Sequence, residues 1–222
     1  MAFYSCERDG ELLAAFSESD VAEIIESSLD SNVGGLTSNF KAVTEQLLAA
    51  LDSGDLCDST YTDTIISNFQ GLRLSANYET EFSYSLVCNP LGNTQSSAVN
   101  SYTKSLYNNT RIYSNDSATF NVSVSGLQAS SLHLLINGSY NRTGNQELNF
   151  RESTDINSIL SVNLTDLKIK KQGNTVVSGS GTFTFSGTAP NNSFNYSGTI
   201  IFGGNNTGTL TIGTETYDMD WN

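Results

Sequence analysis

Histidine, proline and basic side chains are scarce in this sequence of 222 residues. It contains one histidine, His133, two prolines, and 10 lysines and arginines against 23 aspartates and glutamates, which gives a formal net charge of −13. A zinc site made of several imidazoles is therefore excluded. Because the charge repels phosphate backbones, nucleic acid is not expected as a partner.

Long apolar runs and catalytic sequence motifs are also missing. No stretch approaches the roughly 20 apolar residues that span a bilayer. There is no Walker loop and no dinucleotide fingerprint, and Ser178-Gly179-Ser180-Gly181 is a poor match to a nucleophile elbow. His133 lies on the polar side of a predicted strand, where a catalytic role is not expected. We therefore predict that the chain is not an enzyme.

Two segments near the N-terminus show helical periodicity, with apolar residues at three- and four-residue steps. These are Val21, Ile24, Ile25 and Leu29 in the first segment and Leu36, Phe40, Val43, Leu47 and Leu51 in the second. Ser19 and Asp20 are suitable caps for the first helix, and Gly34-Gly35 ends it. Ser53-Gly54 closes the second helix. Helices this short need an apolar partner.

From residue 60 the apolar period changes to two, which indicates strands. The longest alternation runs over 72–88, and a change of phase near Asp166 indicates a bulge. Turn signals separate the strands. They are Asn137-Gly138, Gly173-Asn174, Pro190-Asn191-Asn192 and Gly203-Gly204-Asn205-Asn206. We predict eight to ten strands in one antiparallel meander.

The predicted fold is therefore α+β and mainly β, with a helical pair packed on an antiparallel meander. The sheet is expected to form a curved sheet, a partial barrel or a sandwich. Residues 1–16 are expected to be an anchor and tether, and 17–222 a single domain. That domain divides into a helical pair over 17–54 and the meander over 60–222.

The three cysteines are Cys6, Cys57 and Cys88. In an exported chain Cys57 and Cys88 are expected to form a disulfide, and the alternative is that both are reduced and buried. Cys6 is then left over. It follows Ser5 and precedes a polar run, as at the acylated cysteine of a bacterial lipoprotein, and the first five residues fit the end of a signal peptide. The alternative for Cys6 is an exposed free thiol.

Several short phrases resemble lipoproteins of uncharacterised function from flavobacteria and their relatives, members of the Bacteroidetes. They are Cys6-Glu7-Arg8-Asp9, Leu56-Cys57-Asp58-Ser59, Phe69-Gln70-Gly71, Leu86-Val87-Cys88-Asn89 and the ending Tyr217-Asp218-Met219-Asp220-Trp221-Asn222. The resemblance implies a lipid anchor at Cys6, and a location at the outer membrane or cell surface of a Gram-negative bacterium. It brings no catalytic residues.

Acidic residues provide two weaker hypotheses. Glu79 and Glu81 share one strand face about 7 Å apart, a spacing compatible with an inverting glycosidase pair, although exposed glutamates are usually only solvated. Asp52, Asp55 and Asp58 supply oxygens for a Ca²⁺ site, but they lack the order of an EF-hand loop. No other cofactor is expected.

The leading functional prediction is a non-catalytic envelope module that binds or scaffolds a glycan or a protein partner. Exposed aromatic rings would stack on sugars. The candidate rings belong to Tyr102, Tyr107, Tyr113 and Tyr140. The alternative is a carrier that encloses an apolar ligand, such as a lipid, between the helices and a curved sheet.

Overall fold

Two helices open the part of the chain that the computed structural model describes, which comprises residues 17–53, 57–149, 154–190 and 192–220. Helix α1 spans Glu18–Leu29, a 3-10 turn spans Ser31–Val33, and helix α2 spans Leu36–Ser53. The N-cap of α1 is Ser17, and Asp20 completes a capping box with it, so the prediction of Ser19 as a cap was wrong.

Ten antiparallel strands follow the helices and form one open sheet, in which the strand order equals the chain order. The strands are β1 Thr60–Gln70, β2 Leu74–Cys88, β3 Thr94–Asn109, β4 Ile112–Ser125, β5 His133–Leu148, β6 Thr154–Lys170, β7 Thr175–Ala189, β8 Asn192–Phe202, β9 Thr207–Ile212 and β10 Glu215–Asp220. The predicted mainly-β meander behind a helical pair is confirmed.

The sheet has an inner face that packs against the helices and an outer face that is exposed. Burial alternates along the strands, so that every second residue belongs to the core. Phe40 of α2 lies at the centre of this core, and its ring centroid is 6.2 Å from that of Phe120 and 5.9 Å from that of Phe202. The helices thereby find the apolar partner that their short length requires.

Strand β6 contains the predicted bulge, and the neighbouring strand β5 shows why one predicted turn is not a turn. The register of β6 shifts at Asp166, which has a φ of 51°. Asn137-Gly138 was predicted to be a turn, but it lies inside β5. A Cβ at Gly138 would stand 2.3 Å from the carbonyl oxygen of Asn121, and the Asn137 side chain accepts a bond from the Asp166 N–H. This glycine therefore allows close strand approach rather than chain reversal.

A disulfide joins Cys57 to Cys88, as the sequence predicted, across a separation of 31 residues. It ties the segment before β1 to the end of β2. Closing a loop of this length removes about 3–4 kcal/mol of unfolded-state entropy. The other predicted reversals, at Gly173-Asn174 and at Gly203-Gly204-Asn205-Asn206, do connect consecutive strands.

Candidate functional site

Several predicted site residues cannot be placed together. Cys6 and Asp55 lie outside the described residues. Asp52 is exposed in the last turn of α2, and Asp58 precedes β1 with a φ of 60°. Among the described residues, no group of three or more histidine, cysteine, aspartate or glutamate side chains is arranged to hold a metal ion. Both Ca²⁺ coordination and acylation of Cys6 stay predictions.

The four tyrosines that were predicted to stack on sugars divide into two pairs. Tyr107 and Tyr140 are fully buried on the inner face, so their prediction as exposed rings was wrong. Their neighbours of the same parity on β3 and β5 also face inward, and an aromatic ring at such a position belongs to the core. Tyr102 and Tyr113 are exposed on the outer face, at 39% and 40%.

The outer face carries an uninterrupted row of small uncharged polar side chains, one from each strand. From β1 to β10 the row, here called the polar row, consists of Thr62, Ser83, Asn100, Asn121, Ser139, Asn163, Thr182, Thr199, Thr211 and Thr216. The Thr211 and Thr216 hydroxyls lie 3.3 Å apart. Because neighbouring strands are about 4.8 Å apart, the polar row follows the sheet for roughly 43 Å.

A depression of about 400 Å³ lies over β1, β2 and β3, where the polar row begins. Its outward side chains come from Thr62, Thr64, Glu81, Asn100 and Tyr102. The Tyr102 ring provides an apolar surface, and the Glu81 carboxylate lies on the residue directly opposite it in β2. The depression thus combines an aromatic face with hydroxyl, amide and carboxylate groups.

Neighbouring charges limit what the depression can do. Glu79 and Glu81 are both exposed on the outer face, as predicted from their spacing. Lys104 is directly opposite Glu79, and its Nζ lies 5.7 Å from the centroid of the Tyr102 ring. The lysine ammonium thus lies over the face of the ring in a cation–π contact. The two glutamates thus lie on an open surface with a lysine beside them, and the glycosidase pair stays a prediction.

A polar cluster is buried on the inner face of β4, β5 and β6, and the sequence patterns gave no sign of it. Arg142 forms an ion pair with Asp116, and both side chains are almost fully buried. A chain of hydrogen bonds extends from this pair: Ser114 donates to Asp116 (2.7 Å), Gln146 to Ser114 (3.3 Å) and Ser158 to Gln146 (2.7 Å). These bonds offset part of the cost of burying the charges.

Two tyrosines surround the buried pair. Burial raises the pKa of the Tyr107 and Tyr140 hydroxyls. Burial alone would lower the pKa of the Arg142 guanidinium, but Asp116 and the two tyrosines raise it above its usual value. The guanidinium therefore stays charged. Nε and Nη1 of Arg142 and the Tyr107 hydroxyl make no hydrogen bond of normal geometry to the described residues.

The helices are attached to this polar part of the sheet by hydrogen bonds. Ser105 donates to the carbonyl of Val33 (2.5 Å), Tyr140 to that of Ser28 (3.4 Å) and Ser101 to the Asn39 side chain (2.6 Å). All six residues are buried. These hydroxyls therefore fix the position of the helices on the sheet, and we assign them and the buried cluster beside Tyr140 a structural role.

A smaller cavity of about 290 Å³ lies between α2 and the strands β1 and β2. Lys41 and Glu45 line it from the helix, and Ser67, Tyr78 and Thr80 line it from the sheet. The lining mixes polar with apolar groups, and Thr80 already bonds to Thr103 (2.9 Å). Such a lining suits water or a small polar molecule better than an acyl chain.

Comparisons with protein-family models, with curated proteins and with solved structures find no match for this chain. Within the described residues, neither helix combines the length and the apolar character needed to cross a membrane. Function must therefore be argued from the geometry of the sheet.

Proposed function

We propose that this protein is a non-catalytic module that binds a neutral glycan on the outer face of its sheet. The observation that carries the proposal is the polar row, in which ten consecutive strands present only serine, threonine or asparagine. Hydroxyl and amide groups both donate and accept hydrogen bonds, as sugar hydroxyls do. The spacing of strands is similar to the length of one sugar unit in an extended glycan.

The absence of charge along the row supports a neutral ligand. The protein carries a net charge of −13, yet the outward residues of β7, β8 and β9 in the described chain include no charged side chain. An anionic polysaccharide would be repelled by the protein as a whole, and a cationic one would find no partner on these strands. The ring of Tyr102, next to the row, supplies the apolar contact that the face of a sugar requires.

The proposal is tested by titrating the full chain with soluble neutral glycans and by co-sedimentation with insoluble ones. Tyr102→Ala is expected to weaken binding about fivefold, because a stacked ring contributes on the order of 1 kcal/mol. Asn121→Lys, which places a long charged side chain in the polar row, is expected to weaken binding as well.

Tyr113→Ala is the matched control, since Tyr113 is equally exposed on the same face but lies eight residues along β4 from the polar row. It should leave binding unchanged. Equal losses for Tyr102→Ala and Tyr113→Ala, or a preference for anionic glycans, would contradict the proposal.

We further propose that the protein is exported and held at the outer membrane or cell surface by acylation of Cys6. The Cys57–Cys88 disulfide supports an oxidising compartment and leaves Cys6 as the odd cysteine. Mass spectrometry of the protein from its own cells is expected to find a mature chain that begins at an acylated Cys6. An unmodified residue upstream of Cys6 would contradict this.

The sheet is proposed to curve around the helices. Both of its edges contact them, since Gln46 of α2 donates to Asp63 of β1 (2.6 Å) and the Asp220 N–H of β10 donates to Glu26 of α1 (2.9 Å). Carriage of an apolar ligand within this curve has less support. The aromatic ring of Phe40 occupies the centre of the core.

A further inference from the structure

The two edge strands of the open sheet are protected to different degrees. β10 has six residues, three of which are acidic, and its Asp220 N–H is bonded to the Glu26 carboxylate. β1 has eleven residues and one charge, Asp63, and it contains no proline. Charges, shortness and coverage are the usual devices that keep an edge from pairing with another strand. β10 has all three, whereas β1 is long and has only the Asp63 carboxylate, which accepts a bond from Gln46 of α2.

The backbone of β1 offers a regular set of hydrogen-bonding groups to a partner. Gly71 N–H bonds to the Leu74 carbonyl (2.8 Å), so odd-numbered residues of β1 direct their backbone groups toward β2. The Thr64 N–H instead bonds to the Asp63 carboxylate (2.8 Å), as expected if even-numbered residues direct their backbone groups away from β2. The remaining even-numbered residues of β1, which direct their backbone groups away from β2, are Thr60, Thr62, Ile66, Asn68 and Gln70.

The middle of this edge is also apolar and exposed. Ile66 lies on the outer face at the centre of β1 and is 77% exposed, and Leu72 in the turn after β1 is fully exposed. Asp63, the one charge of β1, has the opposite parity to Ile66 and contacts Gln46 of α2, so no charged side chain of β1 lies beside Ile66 on the outer face of this edge strand.

We propose that β1 pairs antiparallel with β1 of a second copy of this chain, about a twofold axis that passes beside Ile66. In this register Ile66 faces its own counterpart, Thr64 faces Asn68 of the second copy, and Thr62 faces Gln70 of the second copy. Each of these outward-facing pairs is therefore apolar with apolar or hydroxyl with amide, so the outer side of the edge is self-complementary, as a twofold interface requires.

Charge selects this register and this partner. With the axis at Ile66, the two Asp63 carboxylates lie six residues apart along the ladder, about 20 Å, which exceeds the Debye length of about 8 Å. An axis at Thr64 would instead place the two Asp63 carboxylates two residues apart along the ladder, about 7 Å, within that length. In either register the Thr64 N–H exchanges its bond to Asp63 for one to the second copy. The proposed pairing also brings Leu72 of one copy beside Thr60 of the other, which covers the exposed leucine.

Sedimentation velocity over a concentration series tests the pairing, with the full chain carrying Cys6→Ser so that the odd thiol is absent. The expected result is a reversible monomer–dimer equilibrium. Ile66→Lys is expected to weaken the dimer at least about tenfold, since two ammonium groups would meet at the axis. Ile201→Lys is the matched control: Ile201 is 51% exposed on the same face, but it lies on the interior strand β8.

Cross-linking tests the register. In the Cys6→Ser background, Ile66→Cys is expected to form disulfide-linked dimers under mild oxidation, because directly paired residues have Cα atoms about 5.5 Å apart, within the range of a disulfide. Asn68→Cys should not, since its two copies would be offset by four residues. A chain that stays monomeric at all concentrations, equal effects of the two lysine variants, or equal cross-linking of the two cysteine variants would overturn the proposal. Binding of β1 to a foreign strand by a monomeric chain would overturn it too.

Discussion

The two faces of the sheet have opposite relations to charge. The buried inner face holds an ion pair between Arg142 and Asp116, whereas the exposed outer face carries the uncharged polar row. In an ordinary soluble protein, charges lie outside and apolar side chains inside. The difference indicates that the inner face uses polar groups to position the helices, while the charges of the outer face lie outside the polar row.

Removing one partner of the buried pair should produce the largest effect. Asp116→Ala leaves the Arg142 guanidinium charged and uncompensated inside the core, which is expected to cost about 3–5 kcal/mol of unfolding free energy. Urea unfolding followed by circular dichroism measures the loss. The double variant Asp116→Leu/Arg142→Met is the control, and it should recover most of the stability because both charges are gone.

A loss below about 1 kcal/mol for Asp116→Ala would mean that water reaches Arg142 in the variant. The assignment of a structural role to the cluster would then be wrong, since the buried charge would not depend on its partner.

The rim of the helix layer should show a smaller, pH-dependent effect. Burial raises the pKa of Glu26, with Asp220, Glu23 and Asp30 adding repulsion, while the Asp220 N–H acts in the opposite direction. A carboxyl whose pKa is higher in the folded state contributes stability below its ordinary value of 4.5, and that contribution is lost as the pH rises through the raised pKa.

Glu26→Gln keeps an acceptor for the Asp220 N–H and removes the charge. It should therefore unfold at a slightly higher temperature than the parent chain at pH 7, and the difference should shrink or reverse below pH 4.5. Thermal melts at several pH values measure it. A difference that is constant with pH would show that Glu26 titrates alike in both states.

The outer face should show the smallest effect on stability. Asn121 is an exposed residue of the polar row, so Asn121→Lys is expected to change the unfolding free energy by no more than about 0.5 kcal/mol. The same variant should lose glycan binding, so the comparison of unfolding with titration separates the two faces. A destabilised Asn121→Lys chain would indicate that the row contributes to the fold.

Strands with apolar alternation could be predicted from the sequence, and those without it could not. Phe82 and Leu86 on β2, and Phe120 and Val124 on β4, mark their strands clearly. On β3 the inward residues include Ser97, Ser101, Thr103 and Ser105, all buried, so the strand offers no hydrophobic period. Polar residues at period two do not reveal which face is inside.

The same limitation hid both the buried cluster and the polar row. The buried cluster is made of residue types that usually lie on surfaces, and nothing local distinguishes Arg142 from a solvated arginine. The polar row depends on the register of nine strand pairings, which sequence alone does not fix. By contrast, the Cys57–Cys88 disulfide could be predicted, because cysteine number and compartment restrict the choices.

The order of the strands has a consequence for how the chain reaches its native state. Every strand of the meander pairs with its neighbours in sequence, so the sheet can grow one hairpin at a time without long loop closures. The amphipathic helices, however, are synthesised first, and their apolar faces stay exposed until the strands that cover them have formed. Their last contact, between Glu26 and Asp220, forms only when the final strand is present. We therefore expect the sheet to form from β1 toward β10, with the contact between β10 and α1 completing the fold.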